Sequence, residues 1–252
     1  MTLSDPTASA LPSLRGKHLP WLLFIAATVL LGATTIFGIN NYAALPDPMP
    51  THWDAAGEAD VFAPKSAGTA FMPLIIGAVI LAFLVFVSVV LSAVIPRGNE
   101  LSTWKKVQRI SMARATNMLM GIVALGLSVA VSSMVFAGWQ AKNTGTVWPI
   151  VIGSSLLLPL TLVLYWMGSR WAKRRAAELG ITPSAEETGD DSLWVAGFLY
   201  NNPEDPAIMV PQRSGLGSGT TINVGNPKGR IIATTFVVIM SAFPSIMLLL
   251  SS

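Results

Sequence analysis

Long apolar blocks separated by polar segments dominate the pattern of the chain. Five of them contain no Asp, Glu, Lys or Arg, and they span residues 19–39, 71–95, 118–137, 147–168 and 231–250. A bilayer core of roughly 30 Å needs about 20 residues of α-helix at a rise of about 1.5 Å each, so every block is long enough to cross it. The pattern predicts an all-α integral membrane protein with five transmembrane helices.

The basic residues between the blocks predict the orientation of these helices. Two Lys or Arg residues precede the first block, five lie in segment 96–117, and seven lie in segment 169–230. The remaining segments hold only Lys65 and Lys142. Because cytoplasmic loops are enriched in Lys and Arg, we expect the N-terminus inside and the C-terminus outside a bacterial plasma membrane. The tail 1–18 is then cytoplasmic, and 138–146 is a short outer loop.

Segment 40–70 becomes an extracellular loop in this orientation. It contains several prolines together with turn-forming residues such as Asp54 and Gly57. Such a composition disfavours a long helix and is typical of a compact, turn-rich loop or a short hairpin.

Segment 169–230 is the longest cytoplasmic piece. We expect it to continue the fourth helix as far as Leu179, where Gly180 ends the helix, and then to form an acidic linker over 186–191. Strands at 208–210 and 220–224, joined by the glycine-rich turn 214–219, predict a short β-hairpin. The piece is too small to bury much core, so we expect it to pack on the helix ends.

The basic loop 96–117 admits two interpretations. Trp104, Val107 and Ile110 could form the apolar side of an amphipathic helix that lies on anionic lipid at the inner surface. The loop could equally extend a transmembrane helix, with snorkelling lysines.

Two motifs resemble known protein families. The outer segment reads Leu45-Pro46, Pro50, His52-Trp53, Gly57, Asp60 and Lys65, close to the pattern LPxxxPxHFxxxGxxDxxxxK. It resembles an uncharacterised bacterial membrane domain that also occurs in SdpI-like immunity proteins. A second stretch resembles another uncharacterised domain; it contains Trp194, Gly197, Tyr200, Asn202, Pro203, Asp205, Pro206, Val210, Pro211, Arg213, Gly215 and Asn223. The resemblance implies membrane proteins without established chemistry, with immunity or signalling against a secreted peptide as one role.

The outer loop supplies one set of candidate site residues. His52, Asp54, Glu58 and Asp60 carry groups that bind divalent metals, but their spacing fits no metal signature, and we assign no metal there. In the alternative interpretation, His52 and Asp60 bond to the loop backbone and make it rigid. Residues of this loop also form a candidate surface for a ligand or partner: His52, Trp53, Asp60, Phe62 and Lys65.

The cytoplasmic piece supplies a second set of partner-binding candidates, Trp194, Tyr200, Asn202, Asp205 and Arg213. The carboxylates of 201–206 are also explained without chemistry by a tight turn with Asx capping. Trp194 and Tyr200 are aromatic residues of the kind that are enriched at membrane–water interfaces, and we expect them to lie there.

Several function classes are disfavoured. The chain has no Cys and only two His residues, which lie on opposite sides of the membrane, and neither belongs to a nucleophile motif. We therefore expect no enzyme and no cofactor, and a net charge of +3 gives no reason to expect nucleic-acid binding. No ionisable residue lies deep in a predicted span, as proton-coupled carriers usually require.

The remaining function is binding. The sequence favours a non-enzymatic accessory subunit that contacts membrane lipid and another membrane protein or complex. An SdpI-like receptor for a secreted peptide is the first alternative, and a transporter or channel component is the second.

Overall fold

The computed structural model describes residues 19–54, 57–94, 101–140, 148–213 and 219–250. Our expectations for the tail 1–18, for most of loop 138–146 and for most of the glycine-rich turn lie outside these residues. Six α-helices are present in the described part of the chain: α1 Leu19–Asn40, α2 Ala67–Val94, α3 Thr103–Trp139, α4 Trp148–Glu178, α5 Ala185–Ser192 and α6 Pro227–Leu250. Three two-stranded antiparallel hairpins accompany them: β1 Met49–Trp53 with β2 Ala59–Ala63, β3 Trp194–Val195 with β4 Leu199–Tyr200, and β5 Met209–Pro211 with β6 Thr220–Ile222.

Four helices are long and apolar enough to cross a membrane, which indicates a membrane-embedded protein. Among the described residues the qualifying segments are Leu19–Asn40, Ala67–Ser92, Thr103–Trp139 and Val151–Glu178. Large apolar side chains on these helices, including Val29, Val79 and Phe86, are more than half exposed, as expected of surfaces that face lipid. The fifth predicted span falls within α6, which is not among the four, and it stays a prediction.

The chain divides into two compact units. The hairpin unit comprises His18–Ser88, Met120–Leu158 and Met240–Ser252. Its core joins α1, the β1–β2 hairpin, α2 and the last part of α3, and it buries Phe24, Leu31, Met49 and Leu74. The three small residues Ala124, Ser128 and Ser132, spaced four apart on α3, are buried there and permit close helix approach.

The module unit contains Val89–Leu119 and Pro159–Ile239. Trp104, Val107 and Ile110 on α3 are buried against Ala172 and Ala176 on α4. These three apolar residues pack on protein rather than on lipid, so segment 103–117 is an extension of the long helix, not a separate surface helix. We name residues 184–226, which follow α4, the C-terminal module.

The C-terminal module corrects one expectation. The segment that we expected to be an acidic linker forms the helix α5. A capping box explains it: the Ser184 hydroxyl accepts from the Glu187 backbone N–H, and the Glu187 carboxylate accepts from the Ser184 backbone N–H. The hairpin predicted for 208–224 is confirmed by β5 and β6.

Candidate ligand and partner sites

The β1–β2 hairpin is held at its turn and at its open end. Near the turn, Asp54 accepts a hydrogen bond from the Glu58 backbone N–H, at 2.8 Å from its Oδ1. At the open end, the Lys65 ammonium donates to the carbonyl oxygens of Leu45 at 3.0 Å and Ala43 at 3.2 Å. Asp47 accepts from the Lys65 backbone N–H at 3.0 Å. Lys65 and Asp54 therefore stabilise the loop itself.

The β1–β2 hairpin exposes several side chains, which include most of the predicted outer site residues. His52 Nδ1 lies 2.6 Å from Asp60 Oδ1, and both side chains are largely exposed. The two residues thus pair with each other across the strands rather than with the loop backbone. Val61 and Phe62 follow on β2 and are 50% and 49% exposed. We use the name exposed hairpin face for the exposed side chains of His52, Asp60, Val61 and Phe62 together. Because Val61 and Phe62 are neighbours on β2, they expose apolar surface on its two sides, next to the polar pair.

Trp53, which we expected beside Phe62 on the same surface, is instead half-buried under the hairpin. A Cβ atom added at Gly138 would lie 3.3 Å from its Cη2 atom and 3.4 Å from the Pro50 carbonyl oxygen. The absence of a side chain at Gly138 therefore allows the end of α3 to approach β1 closely.

Trp53 lines a cavity of about 380 Å³ between β1, the start of α2 and the end of α3. Met49, Pro50, Thr51, Gly68, Thr69, Ala70, Met72, Pro73, Met134, Val135, Gly138 and Trp139 complete its wall. The indole N–H groups of Trp53 and Trp139 are buried and have no hydrogen-bond partner among the described residues. The sequence analysis missed this cavity, because its wall comes from three segments that lie far apart in the sequence.

The four candidate metal residues do not converge. Within the described ranges, no group of three or more His, Asp or Glu side chains lies close enough to hold a metal ion. Asp54 accepts a hydrogen bond from the backbone at the turn. Of the four residues, His52 and Asp60 are the pair whose side chains contact each other.

The C-terminal module binds Arg213 internally. Its guanidinium Nε donates to Asp190 at 2.7 Å, and it also pairs with Asp191. Asp191 accepts two further hydrogen bonds, from the Trp104 indole at 2.8 Å and from the Gln108 amide at 2.9 Å. Arg213 is buried, with 4% of its surface exposed. Its charge therefore ties β5 to α5, and Asp191 ties α5 to α3.

The other predicted residues of this module also have internal partners. Trp194 packs edge-on against Tyr200 with ring centroids 5.3 Å apart, and its indole N–H donates to Asp190 at 3.2 Å. Asn202 and Asp205 accept hydrogen bonds from the backbone two residues onward, at 3.0 and 2.9 Å, which is the expected Asx capping.

Asn223 is the centre of the module and was not among the predicted site residues. It is fully buried and takes part in six hydrogen bonds. Its amide donates to the carbonyls of Asn202, Asp205 and Ala207, and its oxygen accepts from the backbone N–H groups of Asn202, Gly225 and Asn226. One side chain thereby joins the 201–207 turn to the start of α6.

Glu187 at the start of α5 has a shifted pKa. Partial burial acts to raise it, but hydrogen bonds from Ser102 and Ser184 and the charge of Lys105 outweigh this effect. The pKa of Glu187 consequently lies below its ordinary value.

Comparison with known families gives two partial matches. Residues 29–77 match a domain of unknown function (DUF1648), and residues 203–230 match a family of unknown function (DUF5808). The first segment contains the whole β1–β2 hairpin, and the second contains Asn223. Together they cover less than a third of the chain. No curated protein and no solved structure matches it.

Proposed function

We propose that this protein is a non-enzymatic binding or accessory subunit of a bacterial plasma membrane. Its partner is another membrane protein or complex, contacted through the exposed hairpin face. The adjacent exposed side chains of Val61 and Phe62, beside the His52–Asp60 pair, carry this proposal. Protein interfaces are enriched in aromatic residues and have a polar rim, and this face offers both.

The proposed topology has five spans, with the N-terminus in the cytoplasm and the C-terminus outside. The distribution of Lys and Arg supports it, with 14 residues in the segments assigned to the cytoplasm against 2 in the others. The fifth span is block 231–250, within α6. In this topology the β1–β2 hairpin is extracellular and the C-terminal module is cytoplasmic.

A receptor for a secreted peptide, similar to SdpI-like proteins, is the second candidate. The resemblance of the outer motif from Leu45 to Lys65 to a domain that also occurs in SdpI-like proteins supports it. The same exposed hairpin face would then bind a soluble peptide. Transport has less support, because the five blocks contain no Asp, Glu, Lys, Arg or His.

Affinity purification at native expression level, followed by mass spectrometry, tests the accessory role. We expect a stoichiometric membrane partner with the wild-type chain and its loss in the variant Val61→Ser/Phe62→Ser. Met209→Ser is the matched control, because Met209 is an exposed apolar residue on a strand of a different hairpin. Purification of the wild-type chain without a companion would disprove the accessory role and leave the peptide receptor as the working proposal.

A further inference from the structure

The exposed side of α4 changes from apolar to basic where the helix leaves its apolar block. Val163, Trp166 and Met167 are 49%, 49% and 54% exposed, and Arg170 and Arg174 are exposed as well. With spacings of three, four, seven and eleven residues from the first, these five positions lie on one face of the helix, and we call them the α4 stripe. Its apolar part belongs to block 147–168 and borders acyl chains, so its basic part lies at the level of the lipid headgroups.

Trp166 holds the Arg170 guanidinium at this level. The guanidinium carbon lies 4.7 Å from the ring centroid of Trp166, which is a cation–π contact between residues one turn apart. Stacking uses the flat face of the guanidinium and leaves the N–H donors at its edge available, in a fork that fits two oxygens of a phosphate. The Arg170 side chain therefore loses little further freedom when it binds an anion.

The basic part of the stripe lies in a segment with excess positive charge. Residues 168–178 include four basic residues and one acidic residue, Glu178, which pairs with Arg175. In the described part of the chain, no carboxylate forms an ion pair with Arg170 or Arg174. Two like charges four residues apart on a helix repel each other, and an anion beside both of them offsets this repulsion.

From these observations we propose that the α4 stripe binds an anionic phospholipid. Arg170 and Arg174 donate hydrogen bonds to its phosphate, and one acyl chain lies along the three apolar residues of the stripe. A net negative headgroup is favoured over a zwitterionic one, because the basic residues repel the ammonium group of the latter. A lipid is favoured over a soluble phosphate, because only an attached acyl chain covers the half-exposed apolar side chains.

This site requires α4 to cross the membrane, but it depends neither on the partner contact nor on the orientation proposed above. Vesicles with the same lipids in both leaflets therefore test it separately from the proposed function. The full-length chain is reconstituted in phosphatidylcholine with a trace of photoreactive phosphatidylglycerol or photoreactive phosphatidylcholine. Each probe carries a diazirine near the ester end of one acyl chain.

The measurement is the labelling by the phosphatidylglycerol probe divided by the labelling by the phosphatidylcholine probe. Segment 75–86 of α2 is the internal reference, because it is apolar, has exposed side chains and carries no charge. One basic residue at an anionic surface changes the affinity by a factor of about five, so the ratio at residues 163–174 should exceed the reference by at least about fivefold. Equal ratios at the two segments of the wild-type chain would disprove the proposal.

Three variants distinguish a site from general attraction to positive charge. Arg170→Gln should lower the ratio at 163–174 about fivefold. Arg175→Gln is the matched control: it removes the same charge from the same segment, but Arg175 lies five residues from Arg170, on another side of α4, and should have a clearly smaller effect. Arg170→Lys retains the charge without the planar fork and should lower the ratio less than Arg170→Gln does. Equal effects of Arg170→Gln and Arg175→Gln, or no effect of Arg170→Lys, would overturn the site.

The role of the aromatic residue is tested in the same vesicles. An exposed cation–π contact contributes a factor of about two to five, so Trp166→Leu should lower the ratio about twofold. Phe86→Leu, at an aromatic residue of α2 that is 64% exposed, should not lower the ratio at 163–174. Excess inorganic phosphate should leave the labelling unchanged, and its loss would identify a free anion as the occupant and overturn the proposal. Thermal unfolding should match that of the wild-type chain, because each substituted side chain is at least partly exposed.

Discussion

The β1–β2 hairpin and the C-terminal module use their polar groups in opposite ways. In the module, Asn223 and Arg213 are buried and bonded to several partners, and the charged side chains face each other. Under the hairpin, two buried indole donors have no described partner, and on its exposed face Phe62 is half-exposed. The two regions therefore differ in how many of their polar groups are hydrogen-bonded within the described part of the chain.

This difference is consistent with the proposal that the module has a structural role and the hairpin a binding role. A saturated polar network fixes one arrangement and gains little from an additional molecule. A region with unpaired donors and exposed apolar surface is stabilised when something binds it. Under this proposal the predicted residues of the module hold the fold, as Lys65 does in the hairpin, whereas the exposed residues His52, Asp60 and Phe62 are available to a ligand or partner.

Removal of the Asn223 side chain should have the largest effect. We expect Asn223→Leu to destabilise the module by on the order of 4–6 kcal/mol, because six hydrogen bonds are lost and several backbone groups are left unpaired. Hydrogen exchange of peptides from 201–226 measures the loss of protection. Asn201→Ala in the same turn is the control, and comparable loss of protection there would contradict the central role of Asn223.

Arg213→Met should have the next largest effect. It leaves Asp191, whose side chain is 12% exposed, without its cation, and we expect a loss of about 3 kcal/mol in the stability of the module. The matched change Arg175→Met breaks an exposed pair with Glu178 on α4 and should change stability by about 0–1 kcal/mol. Hydrogen exchange in β5 and α5 distinguishes them; equal effects would show that burial of the Arg213 pair is unimportant.

Replacing Trp by Phe at Trp104 and at Trp139 compares the two regions, because both residues lie on α3 and are buried to a similar extent. Trp104 is 5% exposed and donates to Asp191, whereas Trp139 is 7% exposed and has no described partner. In lipid-free detergent, Trp104→Phe should cost about 2 kcal/mol, because a bond to a carboxylate is lost. Trp139→Phe should cost less than about 1 kcal/mol beyond its lost packing area, since it removes an unpaired donor. Thermal unfolding checks both, and an equal loss would refute the contrast.

The smallest predicted effect is a pH dependence from Glu187. Its folded pKa lies below the ordinary value of 4.5, so ionised Glu187 stabilises the folded state above that pH, and this contribution is lost as the pH falls through the folded pKa. Glu187→Gln should therefore flatten the decrease of the unfolding temperature between about pH 5 and pH 3. Because Glu187 is only partly buried and solvent screens its interactions, the change in unfolding temperature should be a few degrees at most.

Glu186→Gln is the control for this titration, since Glu186 lies in the same first turn of α5 and is exposed. The attribution to Glu187 fails if both variants flatten the pH profile equally.

The apolar pattern predicted the helices well because their length and composition are local properties. The small residues Ala124, Ser128 and Ser132, four apart on α3, are buried at a helix contact, where the Ser132 hydroxyl accepts from Thr34 on α1 at 3.1 Å. The strands at 208–210 and 220–224 were visible for the same reason.

The misses have two physical causes. Helix α5 has a local start signal, the Ser184–Glu187 capping box, but the weak helix propensity of its Gly and Asp residues obscured it; contacts of Asp190 and Asp191 with residues far away in the sequence also stabilise this helix. The cavity and the Asn223 network were missed because their parts lie far apart in sequence. Long-range contacts leave little trace in a single sequence.

The close approach of Asn223 to the first turn of α6 has a consequence for domain exchange. A Cβ atom at Gly229 would overlap the Asn223 carbonyl oxygen, and one at Gly225 would lie 2.5 Å from the Asn202 backbone. The contacts of the module therefore continue past residue 226 into the first turn of α6. A chimaera that transplants 184–230 keeps both glycines with the asparagine they accommodate, whereas one cut at 226 places a foreign residue against Asn223. The family match that ends at residue 230 has the same border.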